Sequence, residues 1–450
     1  MRYLFLAYLI INPLFYLFDI ELRQAQEMCF QISSILLISA GMFFFNKEIK
    51  KDKLNIVLGV LFCWFVLIYC KYNTGWSILL NLFLGLGVYF TAIRTLKKED
   101  FGLLVKGLAG VFILSAITQA AQRLGFDIRG QVVTNGKGWI LKGAISDASF
   151  FGLKASVGVY NAIVMTLILP FTYVICQEFK PKKWLFNAWS CLLVLIYLGL
   201  FFITLAISYC TGAFLSGIVA VFLILWFRKR LLFWLSLIPL ILGMLFFVVK
   251  MDMPLGMMTS RFPMWGMVVQ DIHKSPIFGY GLDSFRQPEA KMQTYKQIIR
   301  YYKNAFNDRT YRVVKDIRVK DYEIIDWQRV GEIPVEDKAG FEAQIKANAN
   351  PMDFWDHPHN EFLWLAYETG FTGLAILCGI LYLIWKRFKR SKRGIMETAT
   401  FAALVSVSIS SLTQFPLHLA RNAHLIPIIL ALFYLATEET VEDKPNIRLE

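Results

Sequence analysis

Twelve stretches of this 450-residue sequence are apolar and nearly free of charge, at roughly 3–18, 29–45, 54–70, 76–93, 101–118, 153–177, 186–208, 211–227, 231–250, 361–385, 397–415 and 424–437. Runs of about 18 such residues are membrane-span candidates. In lipid the backbone of a run like this can satisfy its own polar groups only by coiling into a helix. The composition agrees: 56% of residues are hydrophobic and 18% charged, against about 45–50% and about 25% in soluble domains. A soluble enzyme, a disordered chain and a secreted disulfide scaffold are all excluded. The seven cysteines lie in or at the ends of apolar blocks with no CxxC pair, so neither a disulfide framework nor a zinc signature is present. The expected fold class is all-α, a polytopic membrane protein of about twelve transmembrane helices.

The net charge of +14 does not point to nucleic acid, because the basic residues sit in short loops between apolar blocks. Loops 46–53, 94–100, 178–183, 228–230 and 386–396 hold 4, 3, 3, 3 and 6 Lys/Arg, whereas 19–28, 71–75 and 416–423 hold one each. Cytoplasmic loops carry such an excess, so the first set is expected inside, with both termini cytoplasmic. The first block, Tyr3 to Phe18, has no small-residue cleavage site behind it and reads as a retained span. Two long segments then fall outside, at about 119–152 and 251–360. The expected organisation is helices one to nine over 1–250, with the outer loop 119–152. An outer-loop subdomain over 251–360 follows, then helices ten to twelve with a cytoplasmic tail over 361–450. Within the large loop, residues 286–320 carry ten basic and three acidic side chains, and 321–356 carry three basic and nine acidic. That segregation suits either a functional surface or simply solvated faces, and short helices are expected there.

Candidate chemistry gathers at the two ends of this loop. It closes with Trp355-Asp356-His357-Pro358-His359-Asn360-Glu361-Phe362-Leu363, immediately before the tenth span. A neutral imidazole can take a proton near neutral pH, and Pro358 restricts the backbone between the two histidines. Taken alone, an H-x-H on a loop is more often interfacial than catalytic. No third ligand is evident from spacing, so no metal is expected. Asp353 and Asp356 read as salt-bridge partners of the basic half or as turn caps. The loop opens with Arg261-Phe262-Pro263-Met264-Trp265 and continues through Pro276-Ile277-Phe278-Gly279-Tyr280-Gly281-Leu282. A helix over 264–273 would place Arg261 at its start, near the Trp265 face. Trp265 suits a headgroup anchor, and an arginine fork can clamp a phosphate, although interfacial arginines more often meet lipid headgroups. Gly279 and Gly281 make a tight turn without the spacing of a nucleotide-binding loop.

In order and spacing, R-x-x-x-W, P-I-F-G-x-G-L, a long loop, H-x-H-N-x-x-L and a following G-x-x-G (Gly370, Gly373) resemble the O-antigen ligase and polymerase superfamily. The resemblance is specific over about 110 residues, 261–373; elsewhere it rests on topology and hydropathy. It implies a GT-C-like, metal-independent, inverting glycosyltransferase without cofactor, in a bacterial inner membrane. Such an enzyme moves a glycan from undecaprenyl diphosphate to an acceptor hydroxyl on the periplasmic face. By position it implies His359 as the group that orients or deprotonates the acceptor and Arg261 as the holder of the donor diphosphate. His357, Asn360 and Trp265 would contribute to substrate binding, with Lys142, in Lys142-Gly143-Ala144-Ile145-Ser146, as a second diphosphate contact. One departure stands out. Members of that superfamily often show S-R-G or S-R-T-G between spans seven and eight, where this chain has Ser208-Tyr209-Cys210-Thr211-Gly212. Arg421 and His418 are candidates to supply the missing contact, though anchoring their turn is the commoner role.

The acceptor stays open. Lipid A–core would make the chain a ligase, the favoured reading; another repeat unit, a polymerase; a protein hydroxyl, an O-oligosaccharyltransferase. Only about 13 residues follow the last span, against the longer C-terminal parts that protein-directed relatives often carry. The reading from another class is a lipid-linked oligosaccharide transporter. Many transporters show paired halves or broken helices related by pseudo-symmetry, and no such symmetry is visible. The expected partners are the lipid-linked donor, the acceptor and membrane lipids, with no nucleic acid.

Overall fold

Among the described residues the apolar runs fold as helices. The computed structural model describes residues 1–14, 22–45, 48–49, 52–123, 154–178, 199–200, 210–228, 261–286, 311–312, 332–333, 358–414, 416–418 and 420–442. In chain order the helices are α1 (Arg2–Leu14), α2 (Leu22–Met42), α3 (Lys53–Tyr72), α4 (Trp76–Thr95), α5 (Phe101–Arg123) and α6 (Lys154–Glu178). They continue as α7 (Thr211–Arg228), α8 (Arg261–Ile272), α9 (Glu361–Arg390), α10 (Ile395–Ser410), α11 (Ala420–Ala423) and α12 (Leu425–Glu442). The expected spans at 186–208 and 231–250 lie outside the described residues, as does the loop 124–153.

Among the described residues four stretches, Lys53–Tyr72, Trp76–Thr95, Lys98–Ala121 and Glu361–Arg390, are long and apolar enough to cross a membrane. Their surfaces and those of their neighbours suit lipid rather than water. Phe43 is 88% exposed, and Met42, Leu36 and Tyr3 all exceed 60%. An apolar surface this extensive is not left bare by a soluble monomer.

The chain divides into two units. The first comprises Met1–Phe62, Leu80–Met251 and Leu377–Glu450. Within it α10 packs on α6, α7 and α12, and α5 packs on α1 and α6. Small residues let the backbones approach, as membrane helix pairs require. Ala213, Ser216 and Ala220 of α7 are buried, as are Ala399, Ala402, Ala403, Ser406 and Ser410 of α10. The Ser410 hydroxyl donates to Ser216 Oγ at 2.9 Å. Phe388 stacks on Phe401 at 4.0 Å and meets Phe227 edge-on at 5.0 Å. Arg387 pairs with Asp52, donates to Thr437 Oγ1 at 2.6 Å and lies 4.2 Å over the Tyr434 ring. Arg2 approaches Asp100 at 3.8 Å. Both pairs lie within this first unit.

The second unit comprises Cys63–Leu79 and Asp252–Ile376. It contains the end of α3, α8, a 3-10 turn over Ser284–Arg286 and the first half of α9. It also holds a short antiparallel pair, β1 (Tyr311–Arg312) and β2 (Glu332–Ile333), in which Arg312 lies opposite Glu332. Two residues of the basic stretch are thereby paired with two of the acidic stretch. Arg261, Trp265, His359 and Asn360 belong to this unit.

Candidate functional site

α9 begins with a side-chain cap. Asn360 Oδ1 accepts the Leu363 backbone N–H at 3.0 Å, and the Asn360 carbonyl accepts the Trp364 N–H at 2.9 Å. Asparagine is among the best residues for this position because the first turn of a helix has no backbone acceptors of its own. The residue before the cap, His359, has a left-handed backbone with φ +50°. It is half-buried, with Nδ1 shielded from solvent. A non-glycine residue in that region is uncommon and is held there by its surroundings.

One element of those surroundings is α8. The Trp265 indole N–H donates to the Pro358 carbonyl at 2.8 Å. Two motifs 93 residues apart therefore meet at the peptide that carries His359. The indole N–H, the part of Trp265 suited to a headgroup or substrate, is committed to shaping the histidine turn. Asn360, grouped with the substrate contacts on sequence, uses its side-chain oxygen to cap α9. Arg261 opens α8, but its side chain lies outside the described residues. So do His357, Lys142 and the Arg421 side chain.

Below the turn, α9 breaks. Gly370 has φ +74° and ψ 178°, which no helix contains. The carbonyls of Tyr367 and Glu368 would accept from residues 371 and 372 in a continuous helix, and the break frees them. The P-I-F-G-Y-G-L segment replaces those donors. Tyr280 N–H donates to Tyr367 O at 2.9 Å and Gly281 N–H to Glu368 O at 3.0 Å; Phe371 N–H turns to Pro276 O at 2.7 Å. The Trp64 indole of α3 donates to Thr369 O at 3.1 Å. Buried backbone groups must be paired, and the loop motif supplies what the broken helix lacks. Its glycines follow from that close approach. A Cβ on Gly370 would collide with the Ile277 carbonyl, and one on Gly279 (φ +65°) with the backbone of Tyr367 and Glu368.

The segment is fastened from three further directions. Tyr72 OH and Ser275 Oγ donate to Gly279 O at 2.8 and 2.6 Å. Tyr280 stacks on Tyr367 at 4.8 Å. Its hydroxyl donates to the Asp271 carbonyl at 2.9 Å. Burial pushes that phenol above its ordinary range, so it stays a donor. The Lys274 ammonium meets Asp271 at 2.6 Å. Hydrogen bonding to Asp271, and then that group's charge, holds the amine above the ordinary lysine range.

Two buried acids on α9 were not singled out on sequence. Glu361 is 1% and Glu368 2% exposed, and the Trp364 indole between them donates to Glu368 Oε1 at 2.6 Å. Their spacing, E-x-x-W-x-x-x-E, sets all three on one face of α9. Acids inside an apolar span are costly and mark function by default, which is the signal that could have found them. In the first unit, Cys210 is 4% exposed. His418 is half-buried. Among the described residues no group of three or more His, Cys, Asp or Glu could hold a metal ion. Compared with known families and curated proteins, the sequence matches no family model and no curated protein.

Proposed function

We propose that the chain is an inverting membrane glycosyltransferase of the O-antigen ligase type. It transfers a glycan from undecaprenyl diphosphate to an acceptor hydroxyl, with lipid A–core favoured, on the periplasmic face of a bacterial inner membrane. The observation that carries the reading is the Trp265–Pro358 hydrogen bond. It brings the R-x-x-x-W helix against the H-x-H-N turn, the two motifs on which the resemblance to that superfamily rests.

In this reading His359 Nε2 takes the proton of the acceptor hydroxyl, because Nδ1 is enclosed. The acceptor oxygen attacks the anomeric carbon from the face opposite the diphosphate. The new glycosidic bond forms as the anomeric carbon–phosphate oxygen bond breaks, and the bonding pair leaves with undecaprenyl diphosphate. Inversion follows from the single displacement, and no glycosidase-like carboxylate pair is needed. Arg261 meets the growing negative charge on the leaving group. Cys210 cannot supply a permanent positive charge, so either another basic residue does that work or the second contact is dispensable. The Asn360 cap and the Trp265 bond hold the histidine turn in a fixed place at the start of α9.

The test uses purified protein with undecaprenyl-diphosphate-linked glycan, offered lipid A–core or no second acceptor, with and without a chelator. A glycan band on lipid A–core, unchanged by the chelator, supports a ligase. Longer undecaprenyl-linked chains without added acceptor reassign the chain as a polymerase. Strong chelator inhibition relieved by a divalent ion overturns the metal-free mechanism. No transfer in any tube, with donor bound, favours a protein acceptor or a transporter.

A further inference from the structure

The P-I-F tip that docks on α9 also forms a surface of its own. Trp64, Leu67 and Lys71 follow one another at helical spacing along one face of α3. Phe278 stacks on Trp64 with ring centroids 5.4 Å apart and an interplanar angle of 17°. The Lys71 ammonium sits 3.8 Å over the other ring of that stack, Phe278. Around it Leu67, Ile277, Phe278 and Phe371 are between 37% and 58% exposed. Lys71 itself is exposed and makes no ion pair among the described residues. The second cation beside the tip, Lys274, is tied to Asp271, and its side chain is still 62% exposed.

We propose that this surface binds an anionic phospholipid, its phosphate on Lys71 and its acyl chain along Leu67, Phe278 and Phe371. Three features select that occupant. Among the described residues the cation has no acid to neutralise it, so an external anion is the complementary charge. It lies at the end of an apolar 20-residue helix, where a lysine stem runs along hydrocarbon and its head reaches the headgroup layer. The aromatic stack beneath holds the ammonium in place, and the stack is fixed because Trp64 is bonded to Thr369 and Tyr72 to Gly279. A free phosphate would leave the apolar residues uncovered, and a neutral lipid would leave the charge unmet. Phe278 belongs to the segment that supplies donors to the break in α9, so the lipid braces that segment. The inference rests on the membrane character of the chain and is independent of the transferase reading.

The experiment follows thermal unfolding of the purified full-length protein in mild detergent by tryptophan fluorescence. It titrates phosphatidylglycerol, phosphatidylcholine of the same chains, or inorganic phosphate, while native mass spectrometry counts retained lipids. The expected result is a saturable rise in Tm with phosphatidylglycerol alone. Lys71→Gln should lower the apparent affinity about fivefold, corresponding to the roughly 1 kcal/mol that one lysine contributes at an anionic surface. Lys71→Arg should retain it, and Phe278→Ala should weaken it without abolishing folding. Equal shifts with phosphatidylcholine would overturn the headgroup assignment, and equal shifts with inorganic phosphate would overturn the lipid. Displacement of the lipid by the undecaprenyl-linked donor would reassign the surface to the donor. An unaltered titration in Lys71→Gln would overturn the site, and should that variant not fold, loss of retained phosphatidylglycerol from Phe278→Ala is the deciding readout.

Discussion

Replacing Gly370 with alanine should damage this protein more than any comparable change in the same helix. The Gly370 backbone, φ +74° and ψ 178°, lies in a region open essentially to glycine alone, which costs a substituted residue about 1–3 kcal/mol. A Cβ there also meets the Ile277 carbonyl, so the segment must withdraw. Withdrawal breaks three backbone bonds, Tyr280–Tyr367, Gly281–Glu368 and Phe371–Pro276, each contributing about 1 kcal/mol. The helix could close and recover two of its own bonds, but the loop amides would then lose their acceptors. The expected loss is about 3–6 kcal/mol. The control lies in the same helix. A Cβ on Gly379 meets nothing within 4 Å, so Gly379→Ala should be neutral or stabilise by about 0.5–1 kcal/mol through helix propensity. The assay is denaturant unfolding in detergent micelles, followed by tryptophan fluorescence. Gly370→Ala unfolding within about 1 kcal/mol of wild type, or Gly379→Ala proving the worse of the two, would refute the broken-helix account.

Further outcomes follow from individual contacts. Trp265→Phe keeps the ring but removes the bond to Pro358, so stability should fall by about 1 kcal/mol and transfer by more than global unfolding explains, read by parallel melting and turnover assays. Asn360→Ala should cost about 1 kcal/mol by removing the α9 cap, and Asn360→Asp should restore most of it; equal stability of the two would discount the cap. Trp364→Phe takes one donor from buried Glu368 and should cost about 1–3 kcal/mol, measured by the same unfolding assay. The Lys274 amine has a raised folded pKa, so the stability of its link to Asp271 is fully present below the unfolded value near about 10.4. It is lost as pH climbs through the higher folded value. Alkaline unfolding should therefore show a limb that Lys274→Met lacks.

The helices were legible because lipid imposes one rule on every residue: an uncharged run must coil. The partner of Arg387 was not legible, because Asp52 lies far from it in the sequence and only the fold brings the two together. Nor was the break at Gly370. A glycine in an apolar run, even one in the G-x-x-G of Gly370 and Gly373, does not signal a break until the donors from residues 280 and 281 are seen arriving at the freed carbonyls. Trp265 illustrates the same limit, since its position suits a headgroup anchor and only the fold brings its N–H to Pro358. Asn360 could have been read as a cap, standing directly before the periodic residues of α9, but its place beside the histidines suggested a substrate contact. Lys71 counted only as one charge in a short loop until Phe278 was found beneath it.

The most direct test of the site is transfer of a glycan from its undecaprenyl-diphosphate carrier by purified wild-type protein and His359→Ala, with donor binding measured alongside. The account predicts that His359→Ala still binds donor, melts within about 1 kcal/mol of wild type and transfers nothing detectable above the uncatalysed rate. Wild-type turnover by His359→Ala would contradict it, and the turn held by Trp265 would then be part of the scaffold alone.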